Sequence, residues 1–442
     1  LFPNLLRTDR VGRRRDRGED AQMSVRPPVI VLGIDSPIGL TVVRELGGAG
    51  VEVHGIAHSR RGLGLWSRHL HRGYVRAAEP DGLVPQLLEI ARTSGASLLM
   101  TVSMSDALAL RDSADAGRLP GLRPLLPEKA KLALVNDKAA TCGLAERLGI
   151  AVPRGWEPRE ADEAVPAGLP FPVILKWRDP EIALPILERL GLELLKSELA
   201  RDEAELRSAL GSYRTAGIFP LVQSFCPGTG LGQMFLMKDG RALMRFQHRR
   251  LHEWPPEGGV STLCESLPVD AHAELMERSE MLLREIGWEG PAMVEYRHDE
   301  ATGAAVLMEI NGRFWGSLPL ASAAGAHFAL GTYLALGLGE SVPELEYRSG
   351  LRCRYLVPET RRLLRILFAQ SKIADPHCRF SRSRALLRYA AGFGVRHYVF
   401  RISDPLPFFA DIVFMAREAM AALLSKLRPD RERRTPLPEA RI

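Results

Sequence analysis

Two apolar runs, Ala292-Met293-Val294-Glu295-Tyr296-Arg297 and Val306-Leu307-Met308-Glu309-Ile310-Asn311, flank a short stretch that turns at Thr302-Gly303. Strand-forming residues on both sides of a glycine turn predict an antiparallel hairpin. Side chains alternate along a strand, so Glu309 and Asn311 share a face. Cross-strand neighbours on one face lie ~5 Å apart. If Glu295 takes that face too, three oxygen donors converge on otherwise apolar strands. Two carboxylates and an amide suit Mg²⁺, which accepts oxygen ligands and leaves positions for phosphate oxygens. Solvated glutamates on a sheet edge are the alternative that the hairpin alone leaves open.

The first hundred residues require a different sheet. Val29 to Leu32 is an apolar strand that enters the turn Gly33-Ile34-Asp35-Ser36-Pro37-Ile38-Gly39 and then a helical pattern through Leu40, Val43 and Leu46. A second strand spans Val51 to Ile56, a helix Leu83 to Thr93, and a third strand Ser97 to Val102. Strands alternating with helices imply a parallel sheet covered on both faces. The Gly33/Gly39 turn lacks the G-x-G-x-x-G spacing of a dinucleotide site. It reads as a tight turn that seats a helix on the sheet, with an anion site at that helix start as its second use.

Residues 126–150 carry good helix formers, and Pro153 closes them. Phe171-Pro172-Val173-Ile174-Leu175-Lys176 is a strand ending in a lysine, Asp202 to Leu210 a helix, and Leu221-Val222-Gln223-Ser224-Phe225 a further strand. Gly232 to Met237 and Ala242 to His248, joined through Asp239-Gly240, form an earlier hairpin. At roughly 150 residues per domain, 442 residues make about three domains. The expected division is a disordered Arg-rich tail (1–26), a parallel-sheet domain (27–125), a small α+β unit (126–220), an antiparallel-sheet unit with the metal site (221–340), and a basic, mostly helical extension (341–442).

Charge and cysteine usage narrow the functional class. The net charge is +6, with arginines crowded at both ends: Arg7, Arg10, Arg13, Arg14, Arg15 and Arg17 first, then Arg361, Arg362, Arg365, Arg379, Arg382, Arg384, Arg388, Arg431, Arg433 and Arg434. Without interleaved aromatics these read as solvated tails or helix faces, and no nucleic-acid partner is expected. Cys142, Cys226, Cys264, Cys353 and Cys378 are odd in number and form no C-x-x-C pair, so a reduced, cytoplasmic setting is expected. The first 22 residues carry four acidic groups and no apolar core, which argues against a targeting peptide and makes Met23 a candidate start. No uncharged run reaches the ~18 residues of a membrane span. The apolar stretch from Pro405 to Leu424 is interrupted by Asp411, Arg417 and Glu418 and reads as a packed amphipathic helix.

Two lysines complete the pattern. Lys138 follows Asn136-Asp137 at a helix start, and Lys176 ends its strand before Trp177. A triphosphate needs cations distributed along it. Together with the carboxylates, this ordered set resembles the ATP-grasp superfamily, in particular its carboxylate–amine ligase-like branch. Asn136-Asp137-Lys138, followed by Leu148 to Gly155, resembles the first phosphate-binding lysine and its turn. Phe171 to Lys176 resembles the strand of the second lysine, and Leu221 to Gly228 the hinge beside adenine. Glu309-Ile310-Asn311-Gly312-Arg313 resembles the metal motif, with Glu295 the upstream carboxylate. The similarity spans about Val29 to Glu340. Two departures stand out: Ser224 occupies a hinge position usually held by Glu, and Trp177-Arg178-Asp179-Pro180 follows Lys176 in place of a glycine-rich lid.

The resemblance implies an ATP-grasp architecture, with an N-terminal parallel-sheet domain, a small lid domain, a central antiparallel-sheet domain and a helical extension. It implies ATP, bound by Lys138, Lys176, Gln223, Ser224, Phe225 and Cys226. It also implies one or two Mg²⁺, replaceable by Mn²⁺, on Glu295, Glu309 and Asn311. Arg313 and Arg250 are the expected catalytic cations. The implied reaction activates a small-molecule carboxylate as an acyl phosphate for attack by an amine, in a chain that could act as a homodimer. An ATP-binding scaffold without an acceptor is the second reading. A dinucleotide-dependent oxidoreductase is disfavoured by the missing glycine fingerprint. The segment Gln247 to Ser261, rich in charge, proline and glycine, is the expected substrate loop, with Arg249 or Arg250 forking a carboxylate.

Overall fold

The computed structural model describes residues 26–79, 81–195, 197–256, 258–344, 346–373, 379–392 and 394–427. The arginine-rich stretch 1–25, Met23, Glu257, Cys378 and the arginines beyond 427 lie outside the described residues.

The first sheet holds strands β1 (Val29–Leu32), β2 (Val53–Ala57), β3 (Arg72–Val75), β4 (Leu98–Thr101) and β5 (Arg123–Pro124), all parallel, in the order β3-β2-β1-β4-β5. Helices α1 (Pro37–Gly48), α2 (Leu83–Ser94) and α3 (Met104–Asp115) connect them. β1 and β4 are buried on both faces, as their unbroken apolar runs require. The Gly33/Gly39 turn is a close approach of backbone: a Cβ on Gly39 would lie 2.4 Å from the Gly33 carbonyl oxygen. Strand order reverses between β1 and β4, which opens a crevice beyond their C-terminal ends.

Helices α4 (Lys129–Asn136) and α5 (Lys138–Arg147) follow, separated only by Asp137. The Asp137 carboxylate accepts from the Ala140 amide at 2.9 Å, capping α5 and leaving Lys138 as its first residue. A small antiparallel sheet then forms from β6 (Gly155–Trp156), β7 (Val173–Lys176), β8 (Glu198–Ala200) and β9 (Leu221–Ser224), in the order β6-β9-β7-β8. Helix α6 (Pro180–Arg189) packs against Trp177 and Tyr213 beside it, and α7 (Glu203–Ser212) covers it. The sequence reading placed β9 at the start of the larger sheet. Its pairing with β7, from Val173 opposite Ser224 to Lys176 opposite Leu221, puts it in the small one. The crossing comes at Pro227-Gly228, where backbone pairing is broken.

The larger sheet has seven strands in the order β14-β13-β10-β11-β12-β15-β16. They are β10 (Thr229–Lys238), β11 (Arg241–Trp254), β12 (Val260–Leu267), β13 (Gly290–His298), β14 (Ala305–Asn311), β15 (Arg352–Arg354) and β16 (Arg396–His397). Helix α8 (Ala273–Ile286) covers one face, while α9 (Leu318–Ala324) and α10 (Phe328–Thr332) lie between this sheet and α1. One expectation fails here: Gln247 to Trp254 is strand, leaving Pro255, Pro256, Gly258 and Gly259, among the described residues, between it and β12. Two of its polar side chains pair across the sheet: Gln247 with Gln233, and Arg249 with Glu265 at 2.8 Å. The C-terminal extension is mostly helical, as expected, and its two short strands β15 and β16 lengthen the larger sheet.

Helices α11 (Leu356–Phe368), α12 (Arg382–Ala390) and α13 (Leu406–Leu427) complete the chain. Some C-terminal arginines are structural: Arg362 is buried over the Phe380 ring, and Arg361 pairs with Glu418. α13 packs Phe408, Ala410 and Phe414 inward but leaves Phe409, Val413 and Met420 exposed. Among the described residues no single helix is long and apolar enough to cross a membrane.

Candidate active site

Glu295 on β13 and Glu309 on β14 are direct cross-strand partners. A bulge makes this possible. The register steps from Glu295–Glu309 to Tyr296–Leu307, so Met308 is the extra residue. Leu307 and Ile310 therefore both join the core under α8, beside Val294 and Tyr296. Glu309 and Asn311 keep the opposite face, where the Asn311 Nδ2 donates to Glu309 Oε1 at 3.0 Å.

The surroundings of the two carboxylates differ. Burial raises Glu295, and Arg250 beside it only partly offsets that. Arg250 donates to Glu295 Oε2, to Glu253 Oε1 at 3.1 Å and to the Gly259 carbonyl at 3.2 Å. Burial would raise Glu309 too, but Lys138, Lys176, the Asn311 amide and Arg313 together hold it below its ordinary value. Arg313 is itself buried, which lowers its pKa against the pull of Glu309, Glu295 and Glu181. One of its nitrogens donates to the Phe314 carbonyl at 2.9 Å.

Lys138 and Lys176 reach this face from two elements, the start of α5 and the end of β7. Asp137 fixes the first by capping α5 and by pairing with Arg178 at 2.7 Å, while Arg178 also binds Glu157 at 3.0 Å. Burial lowers the Lys138 ammonium, with Glu309 the strongest of the charges that oppose it. Among the described residues neither ammonium has a hydrogen-bond or ion-pair partner. Glu295 Oε1, Glu309 Oε2 and Asn311 Oδ1 likewise accept nothing. Two uncommitted cations thus face three uncommitted oxygens, an arrangement that fits Mg²⁺ bridged to a polyphosphate.

The expected hinge lies beside Lys176. Gln223 is buried in β9, with its amide near the Cys142 thiol at 4.0 Å, and Cys226 donates to the Ser224 carbonyl. Ser224 is spent on Arg154: its amide donates to the Arg154 carbonyl, and its hydroxyl accepts the Arg154 amide. The Phe225 amide, expected to read an adenine edge, donates to the Pro172 carbonyl at 3.1 Å. Its own carbonyl and the Cys226 amide are what the hinge retains for a base. Arg250 also departs from expectation. Committed to two glutamates and a carbonyl, it positions Glu295 and does not offer a fork to a substrate.

Sequence reasoning missed a second cluster, at the crevice of the parallel sheet. His58, just after β2, binds Asp35 through Nδ1 at 3.0 Å and Asp106 through Nε2 at 3.3 Å. Arg76 donates to Asp106 at 2.6 Å. Hydrogen bonds to Asp106 and Asp35 raise His58 to about 9. Glu181 on α6, raised by burial, feels Asp179, Arg313 and Asp106 together, so the cluster looks toward Arg313. The positions of Asp35 and Asp106 at the ends of β1 and β4 could have signalled it; the partners come from segments too distant for a sequence pattern.

No protein-family model and no curated protein matches the sequence. Solved structures are. The biotin carboxylase domain dimer of Hydrogenobacter thermophilus 2-oxoglutarate carboxylase, solved with MgADP, ADP and bicarbonate, is 15% identical with a TM-score of 0.56, over 73% of this chain and 73% of that one. N5-carboxyaminoimidazole synthetase from Staphylococcus aureus is 14% identical with a TM-score of 0.58, over 78% and 86%. L-amino acid ligase from Bacillus licheniformis is 15% identical with a TM-score of 0.54, over 74% and 79%. The chain has the ATP-grasp fold. Of the longer Rhizobium etli pyruvate carboxylase, 16% identical with a TM-score of 0.57, it matches 30% of the length over 74% of its own. In this fold the paired acidic strands lie at the edge of the larger sheet, and Lys138 and Lys176 lie on α5 and β7.

Proposed function

We propose that the protein is an ATP-dependent ligase that phosphorylates a small-molecule carboxylate and passes the acyl group to an amine, releasing ADP and phosphate. The observation that carries this reading is the pairing of uncommitted groups: the Lys138 and Lys176 ammonium groups oppose the free oxygens of Glu295, Glu309 and Asn311. A binding site for an isolated anion would need no acidic face, and a simple metal site would need no lysines.

Each residue has a role in this reading. Lys138 and Lys176 bind phosphate oxygens, while Glu309, Asn311 and Glu295 hold Mg²⁺, for which Mn²⁺ can substitute. The ion supplies charge neutralisation and alignment of the phosphates. Gln223, the Phe225 carbonyl and the Cys226 amide line the base, while Ser224, bound to Arg154, holds the hinge in place. Arg250 orients Glu295. Arg313, with guanidinium nitrogens to spare, stabilises negative charge as the phosphoryl group moves to the acid. The acid enters from the crevice where His58 and Arg76 stand, and the amine follows. The unpaired thiols of Cys142 and Cys226 at the site suit a reducing, cytoplasmic setting.

The test is isotopic. The chain is screened for ADP release against carboxylate and amine libraries, and the active acid is then supplied with ¹⁸O in its carboxylate. One label is expected in the released phosphate, because that oxygen attacks phosphorus and leaves with it. Product formed with phosphate labelled only from water would rule out acyl phosphate formation.

A further inference from the structure

A second cluster of ligand-type side chains lies at the opposite end of the parallel sheet. Glu52 and His54 flank Val53 at the start of β2, so they are two apart and share a face. His71 immediately precedes β3, and its amide donates to the Val53 carbonyl at 3.0 Å, which fixes it beside them. One ligand atom from each of the three lies within 4.8 Å of the other two. His71 Nε2 stands 3.9 Å from Glu52 Oε2, and the two imidazole rings are 5.2 Å apart.

His54 makes this more than a surface charge pair. It is only 4% exposed. Its Nδ1 lies 3.3 Å from the Tyr74 hydroxyl, while its Nε2 is buried and has no hydrogen-bond partner. A buried imidazole nitrogen without a partner costs its desolvation, and nearly all buried polar atoms avoid this. With the proton on Nδ1 and directed at Tyr74, Nε2 presents a lone pair. A second partner that fixes the tautomer is the usual support of a histidine that binds metal. Glu52 and His71 are each half exposed in their side chains, so an ion can enter from solvent and both groups can swing to meet it.

We propose that Glu52, His54 and His71 form a divalent transition-metal site, of the kind suited to Zn²⁺, that ties the start of β2 to the edge strand β3. Two imidazoles and one carboxylate are a zinc donor set with a fourth position for water. Mg²⁺ and Ca²⁺ prefer oxygen donors and are not expected here. Ligands on such an ion stand roughly 3.3 Å apart by its tetrahedral bond lengths, so the observed spacings close by side-chain rotation alone. The site lies at the N-terminal ends of the strands, whereas the His58 crevice lies at their C-terminal ends. It is therefore independent of the proposed ligase chemistry.

The test uses the full chain, stripped with a chelator and titrated with Zn²⁺ and Co²⁺ without nucleotide. One equivalent of Zn²⁺ is expected to bind. Glu52→Gln and His71→Ala, both at exposed positions, should weaken it by more than the ~10–100-fold typical of losing an outer-shell partner, and Tyr74→Phe by about 10-fold. Glu309→Gln should leave this equivalent untouched. X-ray absorption of the zinc-loaded wild type should show two imidazoles and light-atom scatterers, a readout that needs no variant to fold. Absence of a bound equivalent, affinity unchanged in both ligand variants, loss of the equivalent in Glu309→Gln, or a spectrum without paired imidazoles would each overturn the assignment.

Discussion

Glu295 and Glu309 face each other across β13 and β14, yet their carboxyls are driven in opposite directions, Glu295 upward and Glu309 downward. Burial acts on both in the same sense. The difference is the surrounding charge: Glu295 has Arg250 and Lys176 but also the carboxylates of Glu309 and Glu253, whereas Glu309 has Lys138, Lys176, the Asn311 amide and Arg313. In the proposed site this asymmetry makes Glu309 the expected principal metal carboxylate. Glu309→Gln keeps the shape and the Asn311 contact but removes the charge. ADP release should fall at least ~100-fold, as it does when a group stabilising transition-state charge is removed, and the Mg²⁺ requirement should rise. Initial rates measured across a Mg²⁺ series check this; a variant with wild-type rates at limiting Mg²⁺ would exclude Glu309 from the site.

The lysines should respond in nucleotide binding. Lys138→Met and Lys176→Met each remove a cation that has no partner in the protein, so neither should destabilise the fold through a lost ion pair. Each should weaken ATP binding by about 10-fold or more, since a charge-assisted hydrogen bond contributes about 1.5–3 kcal/mol. Calorimetric titration with ATP and Mg²⁺ measures it. Parent-like affinity in both variants would refute the phosphate-site assignment even with the fold unchanged.

A third expectation concerns the C-terminal part. Asp404 accepts from Arg44 on α1 at 2.9 Å, from the Ser67 hydroxyl at 2.7 Å and from the Arg68 amide at 2.9 Å. The Arg44 and Asp404 side chains are 1% and 2% exposed. Asp404→Ala leaves a buried guanidinium without its counter-charge, and such a loss costs about 3–5 kcal/mol. Denaturant unfolding should show it, with α13 becoming sensitive to protease first. A change below about 1 kcal/mol would mean that this junction does not hold the C-terminal segment to the first domain.

What the sequence revealed follows from the range of the forces involved. The β1 turn, the two hairpins and the Lys138 helix start are local: apolar periodicity, glycine turns and an Asp cap specify them within a few residues. The Glu295, Glu309 and Asn311 face was legible for the same reason, although the Met308 bulge that removes Leu307 from it was not. The failures are long-range. Arg249 and Arg250 looked like loop charges because their partners Glu265 and Glu295 lie elsewhere in sequence. β9 was assigned to the wrong sheet because a four-residue strand, Leu221–Ser224, fits either one. β15 and β16 are too short, at 3 and 2 residues, to carry a period. His58 could not be linked to Asp106 without the sheet that joins β2 to β4 through β1.

His58 supplies the last expectation, a pH dependence. Its hydrogen bonds to Asp106 and Asp35 raise it from 6.5 to about 9. The folded state therefore binds this proton more tightly than the unfolded chain does. The stabilisation is complete below pH 6.5, where both states are protonated, and is lost as pH rises through about 9. Other groups titrate nearby, including His327, which Glu45 also raises, so the measured quantity is a difference between proteins. His58→Gln can still hydrogen-bond but carries no proton to lose. The wild-type Tm should decline more steeply than that of the variant between these two pH values. The His58 side chain is 33% exposed, and solvent screens part of the interaction, so the extra decline should be small, about 2 °C. Differential scanning calorimetry across the pH series decides it. Parallel curves would mean that His58 is not held as an imidazolium by Asp35 and Asp106, and the crevice beside Arg313 would then present Arg76 as its one charged donor from this cluster.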